Sequence, residues 1–158
     1  MTHRSVQAVS RESTFEGFYE AQLDWARRLT FVLTGDDLFV DDLVQDAFVR
    51  LRPRFDQLDN PRAYLRVTLV NGVRRHRRRE RRREQAHASL AHPSPEEDGA
   101  LDDLVDRIDR LPYRQRAVLV LRYFENLSEA EIAESLGCRP GTVKSLASRA
   151  LARLREET

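Results

Sequence analysis

The sequence has one cysteine, no long apolar run and no alternating strand pattern, and each absence excludes a class of protein. Cys138 cannot form a disulfide within the chain because it has no partner, which favours a cytosolic protein. No apolar run approaches the roughly 18 residues needed to cross a bilayer, and residues 1–12 lack the apolar centre of a secretion signal. We therefore expect a cytoplasmic protein without a membrane partner.

Residues that support catalysis or metal binding are also scarce. The four histidines lie in a terminal tail, a run of arginines and a linker, and Cys138 lies in a turn without a partner thiol. We therefore predict that the protein is not an enzyme and has no metal, no cofactor and no small-molecule substrate. These histidines are His3, His76, His87 and His92.

Charge is abundant but unevenly placed. The formal net charge is only +1, yet residues 1–83 have 17 arginines and 12 acidic residues, whereas residues 84–110 have 2 arginines and 8 acidic residues. Eight arginines lie between Arg74 and Arg83 alone. Residues 111–158 are again basic, with 8 basic and 6 acidic residues. This pattern predicts two anion-binding modules joined by an acidic linker.

Helical periodicity runs through the first 83 residues. Ser13 and Glu16 have capping-box spacing, and apolar residues then recur every three or four positions up to Gly35. A second helix, with Asp36 or Asp37 as its cap, is expected to end at Leu51 before Pro53. A third helix begins at Pro61, with Asn60 or Asp59 as its cap, and continues through the arginines.

The C-terminal third contains the most specific motif. Two short amphipathic helices, the second with Phe124 on its apolar face, precede Ser128, which starts a capping box with Glu131. Gly137 then ends that helix and Pro140 opens another, whose outward face has hydroxyls, lysine and arginine. Two helices joined in this way are typical of a helix-turn-helix that enters the major groove of DNA.

Four segments together resemble an extracytoplasmic-function (ECF) sigma factor, closest in look to the actinobacterial SigE-like group. They are DDLVQDAFVRL (41–51), NPRAYLRVTLVNGVRRHRRR (60–79), LPYRQRAVLVLRYFENLSEAEIAESLG (111–137) and GTVKSLASRALARLR (141–155). The resemblance implies an all-α fold of two small helical domains. These are a three-to-four-helix region 2 domain over 13–83 and a region 4 helix-turn-helix domain over 101–158, with a disordered N-terminus at 1–12 and a flexible acidic linker at 84–100.

The same resemblance implies a sigma factor that binds core RNA polymerase, through the β′ coiled coil and the β flap, and promoter DNA. An anti-sigma factor is a further partner common in this family. Residues implied for polymerase binding are Asp41, Asp42, Gln45, Asp46 and Val49. For the minus-ten element they are Asp56, Asn60, Tyr64, Asn71, Arg74, Arg75 and Arg78; for the minus-thirty-five element they are Arg139, Thr142, Lys144, Ser145, Ser148 and Arg149.

One alternative remains open at this point. Regulators that bind DNA without polymerase use a similar helix-turn-helix, so the chain could be an autonomous transcriptional regulator whose N-terminal half is a helical sensory or interaction domain. Residues 1–83 show no strand pattern typical of a ligand-binding domain. The arginine run would also have no role in such a protein, which favours the sigma factor.

Overall fold

The computed structural model describes residues 13–86 and 100–156, with side chains from 13 to 86 and from 103 to 156. In these residues the chain is helical and contains no strand. The all-α prediction is therefore confirmed. The predicted disordered N-terminus, most of the predicted linker, and His3, His87 and His92 lie outside the described residues.

The N-terminal half consists of three α-helices and a short 3₁₀ helix. Helix α1 is Phe15–Thr34, α2 is Val40–Leu51, the 3₁₀ helix is Arg52–Gln57 and α3 is Pro61–Ala86. The three α-helices pack on one another around a shared apolar core. An aromatic group strengthens this core, since the Phe18 and Phe55 rings have centroids 5.3 Å apart and Phe48 meets Tyr19 at 4.7 Å.

In the N-terminal half, two predicted helix caps are wrong and one is right. Thr14, not Ser13, caps α1, because its side chain accepts from the Gly17 amide. Neither Asp36 nor Asp37 caps α2, which begins after Phe39 without a side-chain cap; Asp36 instead accepts from the amide of Leu38 in the preceding turn. Asn60 does cap α3, since its carboxamide oxygen accepts from the Ala63 amide at 3.0 Å.

The C-terminal half contains four α-helices and one turn of π-helix in the described residues. They are α4 (Ala100–Asp109), α5 (Tyr113–Leu119), the π-helical turn (Val120–Phe124), α6 (Glu129–Leu136) and α7 (Pro140–Glu156). Helix α7 packs on both α5 and α6. The prediction that Phe124 lies on a buried face is wrong: the wider π-helical turn leaves Phe124 45% exposed.

The two halves pack against each other and share one apolar core. Helix α3 contacts α6, and the core cluster includes Leu69 of α3 together with Val118 of α5 and Ile132 of α6. No pattern in the sequence predicts this arrangement. We call it the closed arrangement, and it brings residues from both halves into the sites described next.

Candidate nucleic-acid and protein interfaces

An acidic face that includes one exposed apolar residue lies along the exposed side of α2. The side chains of Asp41, Asp42, Gln45 and Asp46 are exposed, and Val49 is 67% exposed beside them. Partners hold several of them in place. Arg27 pairs with Asp41 at 2.9 Å, Arg50 pairs with Asp46 at 2.9 Å, and the Gln45 amide donates to the Tyr19 hydroxyl at 2.7 Å. A charged face around an exposed apolar residue suits protein docking.

The sequence analysis missed two exposed apolar residues, one in α1 and one in the turn before α2. Phe31 is 46% exposed and Leu38 is 75% exposed. Phe31 lines a shallow cavity with Arg27 and Asp41, which ties it to the acidic face. Phe31 lies off the apolar stripe of α1, and periodicity identifies the buried stripe without assigning a role to an exposed apolar residue.

A cleft separates the acidic face from the basic helix α3. It has a volume of about 420 Å³, with Asp42 and Asp46 on one wall and Arg75 and Arg79 on the other. His76 and Phe39 also line it, and their rings pack at a tilt with centroids 4.4 Å apart. The expected polymerase-binding and promoter-binding residues are therefore close neighbours.

The residues predicted to contact the minus-ten element do not form a uniformly exposed stripe. Asp56 in the 3₁₀ helix, Asn60 in the loop, and Arg75 and Arg78 on α3 are exposed. Tyr64, Asn71 and Arg74 are half-buried. Tyr64 packs against the core, and Arg74 lies beside the C-terminal half in a cleft between the two halves.

The helix-turn-helix has the local geometry that its sequence predicts. Ser128 accepts from the Glu131 amide at 3.2 Å, and the Glu131 carboxylate accepts from the Ser128 amide at 2.8 Å. The backbone and side-chain hydrogen bonds from Ser128 lower the pKa of Glu131. Gly137 ends the helix with φ of 61°, a left-handed conformation that favours glycine, and α7 begins at Pro140.

The outward face of α7 is polar and cationic. Lys144 lies 3.8 Å from Glu129, and the Ser145 hydroxyl donates to the Gly141 carbonyl at 3.1 Å. Leu146 turns the other way, where it packs against the core and lines the cleft between the halves. Of the residues predicted for the minus-thirty-five element, Arg139, Lys144, Ser145, Ser148 and Arg149 are exposed and Thr142 is half-buried.

Polar contacts join the two halves at several places. In the first, the Trp25 indole donates to a carboxylate oxygen of Glu125 at 2.8 Å, and Arg66 lies 3.8 Å from the other oxygen. Arg62 stacks over the Trp25 ring, 4.2 Å from its centroid. Because Glu125 belongs to the C-terminal half and the other three residues to the N-terminal half, these contacts hold the halves together.

The second place is the C-terminal end of α1. Arg116 donates to the Val32 carbonyl and pairs with the Asp109 carboxylate, while Arg77 donates to the backbone carbonyls of Leu33 and Asp109. Cations at a helix C-terminus complement its partial negative charge. Burial lowers the pKa of both arginines, and Asp109 opposes that shift. Burial also raises the pKa of Tyr113, which lies beside them.

Within the described part of the chain, no group of three histidine, cysteine or acidic residues is placed to hold a metal ion. No helix in that part is long and apolar enough to cross a membrane. Cys138 is a half-buried free thiol in the turn before α7.

Comparison with known proteins decides the family. Residues 18–83 match the family described as Sigma-70 region 2, and residues 101–154 match Sigma-70, region 4. The RNA polymerase sigma-E factor of Streptomyces coelicolor is 36% identical over 151 residues, which cover 90% of this chain and 85% of that protein. The chain belongs to the sigma-70 family of RNA polymerase sigma factors.

Two further relatives place this sigma factor in the ECF group. The ECF RNA polymerase sigma factor EcfG of Rhodopseudomonas palustris is 31% identical over 81% of this chain and 76% of that protein. A solved structure of the sigma factor RpoE of Bartonella quintana, in complex with the anti-sigma factor NepR, superposes with a TM-score of 0.71. It is 26% identical and covers 90% of this chain and 94% of that one.

These matches support region 2 in the N-terminal half of this sigma factor and region 4 in the C-terminal half, as predicted. The family is one of non-catalytic initiation factors. The alternative of an autonomous regulator is not favoured, because its N-terminal half would not be expected to match region 2.

Proposed function

We propose that this sigma factor binds core RNA polymerase through the acidic face of α2 and reads promoter DNA with α3 and α7. The observation that supports this most strongly is the exposed Val49 on the same face of α2 as Asp42 and Asp46, two acids that line a cleft with Arg75. Such a face can dock on a basic and apolar protein surface, while the arginines beside it bind nucleic-acid phosphates. Because core polymerase supplies the chemistry, the sigma factor itself acts without catalysis. It acts in the cytoplasm.

Residue roles on the DNA side follow from exposure and chemistry. On α7, Lys144 and Arg149 project from a helix that also carries short hydroxyl side chains, so their charged groups can reach guanine edges in the major groove. On α3, Arg75 and Arg78 are free to bind phosphates of the minus-ten strand. Asn60 uses its side-chain oxygen to cap α3, so it positions this helix whatever contact it makes with a base.

The closed arrangement cannot read both promoter elements at once. The two elements are centred about 25 base pairs apart, which is roughly 80 Å along B-DNA at about 34 Å per turn. Here α7 approaches α3 closely enough for Leu146 and Arg74 to line one cleft. We therefore infer that the two regions separate when the protein joins polymerase and DNA.

We also propose an anti-sigma factor as a partner. The RpoE structure that matches over 90% of this chain holds an anti-sigma factor. A protein that favours the closed arrangement would keep α3 and α7 from reaching their two DNA elements together.

The experiment that tests polymerase binding reverses two charges on α2. Asp42→Lys with Asp46→Lys should abolish co-purification with Streptomyces core RNA polymerase and remove run-off transcription from a pool of genomic promoters. The matched control is Glu20→Lys with Asp24→Lys, which reverses two exposed acids at the same spacing on α1. Full polymerase binding by the α2 variant would contradict the proposal. Binding of free duplex DNA without polymerase would instead support an autonomous regulator.

A further inference from the structure

The closed arrangement forms a cleft with five arginines between the two regions. Its volume is about 320 Å³, within the roughly 300 to 1,000 Å³ typical of small-ligand sites. No carboxylate is among the residues that line it. These residues are Arg74, Arg77, Arg78 and Arg81 of α3, Leu146 of α7, and Pro112, Tyr113, Arg114 and Gln115 from the start of region 4.

Two acidic residues, Asp109 and Glu84, act on Arg77 from outside the cleft lining. The Asp109 carboxylate pairs with Arg116, which lies outside the cleft lining. Arg77 donates to the backbone carbonyl of Asp109 rather than to its carboxylate. Burial lowers the pKa of Arg77, Asp109 opposes this, and the neighbouring charge of Arg81 lowers it further. Arginine remains protonated at neutral pH. Because five arginines and no carboxylate line the cleft, the lining itself has a net positive charge.

Gln115 provides a second and independent observation. Its side chain lines the cleft, it is only 7% exposed, and its carboxamide oxygen has no hydrogen-bond partner. A buried polar atom without a partner costs free energy, so a ligand that satisfies this amide would be stabilised there. Rotation of the amide exchanges its oxygen and its NH₂ group, which lets it donate to an anion.

The chemistry of the lining selects phosphate groups. Guanidinium groups present planar pairs of donors that match phosphate oxygens, and several arginines together favour more than one phosphoryl group. Because Arg114 and Gln115 belong to region 4 and the other arginines to region 2, a ligand that contacts both walls also joins the regions. We infer that this cleft binds a small diphosphate-bearing anion, which bridges the two regions and favours the closed arrangement.

Inorganic pyrophosphate is the probe for this site. At about ten times its dissociation constant it should raise the thermal unfolding midpoint of the wild type by about 3 °C. Potassium chloride at equal ionic strength should produce no such rise. Arg81→Gln with Arg114→Gln should weaken pyrophosphate binding at least tenfold by isothermal titration calorimetry. The matched control is Arg82→Gln with Arg122→Gln, which removes two exposed arginines outside the cleft and should bind as the wild type does.

A second variant tests whether pyrophosphate binds the cleft between the regions or the arginine run alone. Tyr113→Phe with Glu125→Gln removes contacts between the regions but keeps all five arginines, so its affinity for pyrophosphate should fall in proportion to the loss of the closed arrangement measured by small-angle X-ray scattering. Equal loss in the Arg82/Arg122 control, or unchanged binding by the Tyr113/Glu125 variant when scattering shows separated regions, would overturn the inference. None of these measurements uses polymerase, so their failure is distinguishable from failure of the proposed function.

Discussion

The hydroxyl of Tyr113 donates a buried hydrogen bond of 2.6 Å to the backbone carbonyl of Val70, 43 residues away. It joins the start of region 4 to the middle of α3, the helix proposed to read the minus-ten element. A hydrogen bond of this kind contributes about 1 kcal/mol net. The position of the two regions therefore depends on individual polar contacts whose removal can be measured.

Tyr113→Phe is expected to shift the equilibrium from the closed arrangement toward separated regions about fivefold, which corresponds to about 1 kcal/mol. Small-angle X-ray scattering should show an increase in the radius of gyration. Tyr123→Phe is the control, because Tyr123 is 62% exposed. Equal scattering curves for Tyr113→Phe and the wild type would show that this hydrogen bond does not hold the regions together.

Glu125→Gln should change the fluorescence of Trp25, which is the only tryptophan in the protein. The substitution removes the charge that faces Arg66 and weakens the acceptor for the indole. Because Trp25 is 8% exposed in the closed arrangement, separation of the regions should move its emission to longer wavelength. Glu134→Gln changes an exposed acid on α6 and should leave the emission unchanged.

Ser128→Ala is expected to lower the free energy of unfolding of region 4 by about 1 kcal/mol, because α6 loses its N-cap. The pKa of Glu131 is lowered in the folded protein. Its contribution to the free energy of unfolding is therefore complete above the ordinary glutamate pKa of about 4.3, and it is lost as the pH falls through the lower folded pKa. Urea unfolding of the wild type should show this acid-side loss. The same loss in Ser128→Ala would mean that the hydrogen bonds from Ser128 do not cause it.

Arg149→Ala should weaken binding of the polymerase holoenzyme to a matched minus-thirty-five element by about 1–3 kcal/mol if Arg149 contacts a base. Arg153→Ala, one turn further along α7, is the comparison because it is equally exposed. The informative quantity is the ratio of affinities for matched and scrambled elements, measured by fluorescence anisotropy at constant salt. A loss of the same size on both elements would assign Arg149 to phosphate contact.

Local structure was largely readable from the sequence, and contacts between distant segments were not. The Ser128 capping box and Gly137 were predicted because each uses neighbours within a few residues. The wrong cap at Ser13 is an error of one residue, since Thr14 offers the same hydroxyl. The π-helical turn that exposes Phe124 shifts the helical period, which a regular 3.6-residue pattern cannot anticipate.

The contacts that hold the two halves in the closed arrangement leave no comparable pattern in the sequence. Trp25 and Glu125 are 100 residues apart, and Arg116 meets a backbone carbonyl of Val32, a group that every residue has. Charge pattern identified the arginine run but not which arginines face region 4. Burial of Arg116, which is 3% exposed, follows from packing between the regions rather than from its neighbours in sequence.

Gly35 and Asp109 restrict which residues related sequences can carry at two distant positions. A Cβ atom at position 35 would lie 2.6 Å from a carboxylate oxygen of Asp109, and the backbone there has φ of 71°. A related protein with this closed arrangement should therefore have both glycine at position 35 and the acid at position 109. Where the acid has been lost, position 35 should admit asparagine more readily than alanine or a branched residue, because the left-handed backbone still applies. Aligned sequences would then show the two positions changing together although 74 residues separate them.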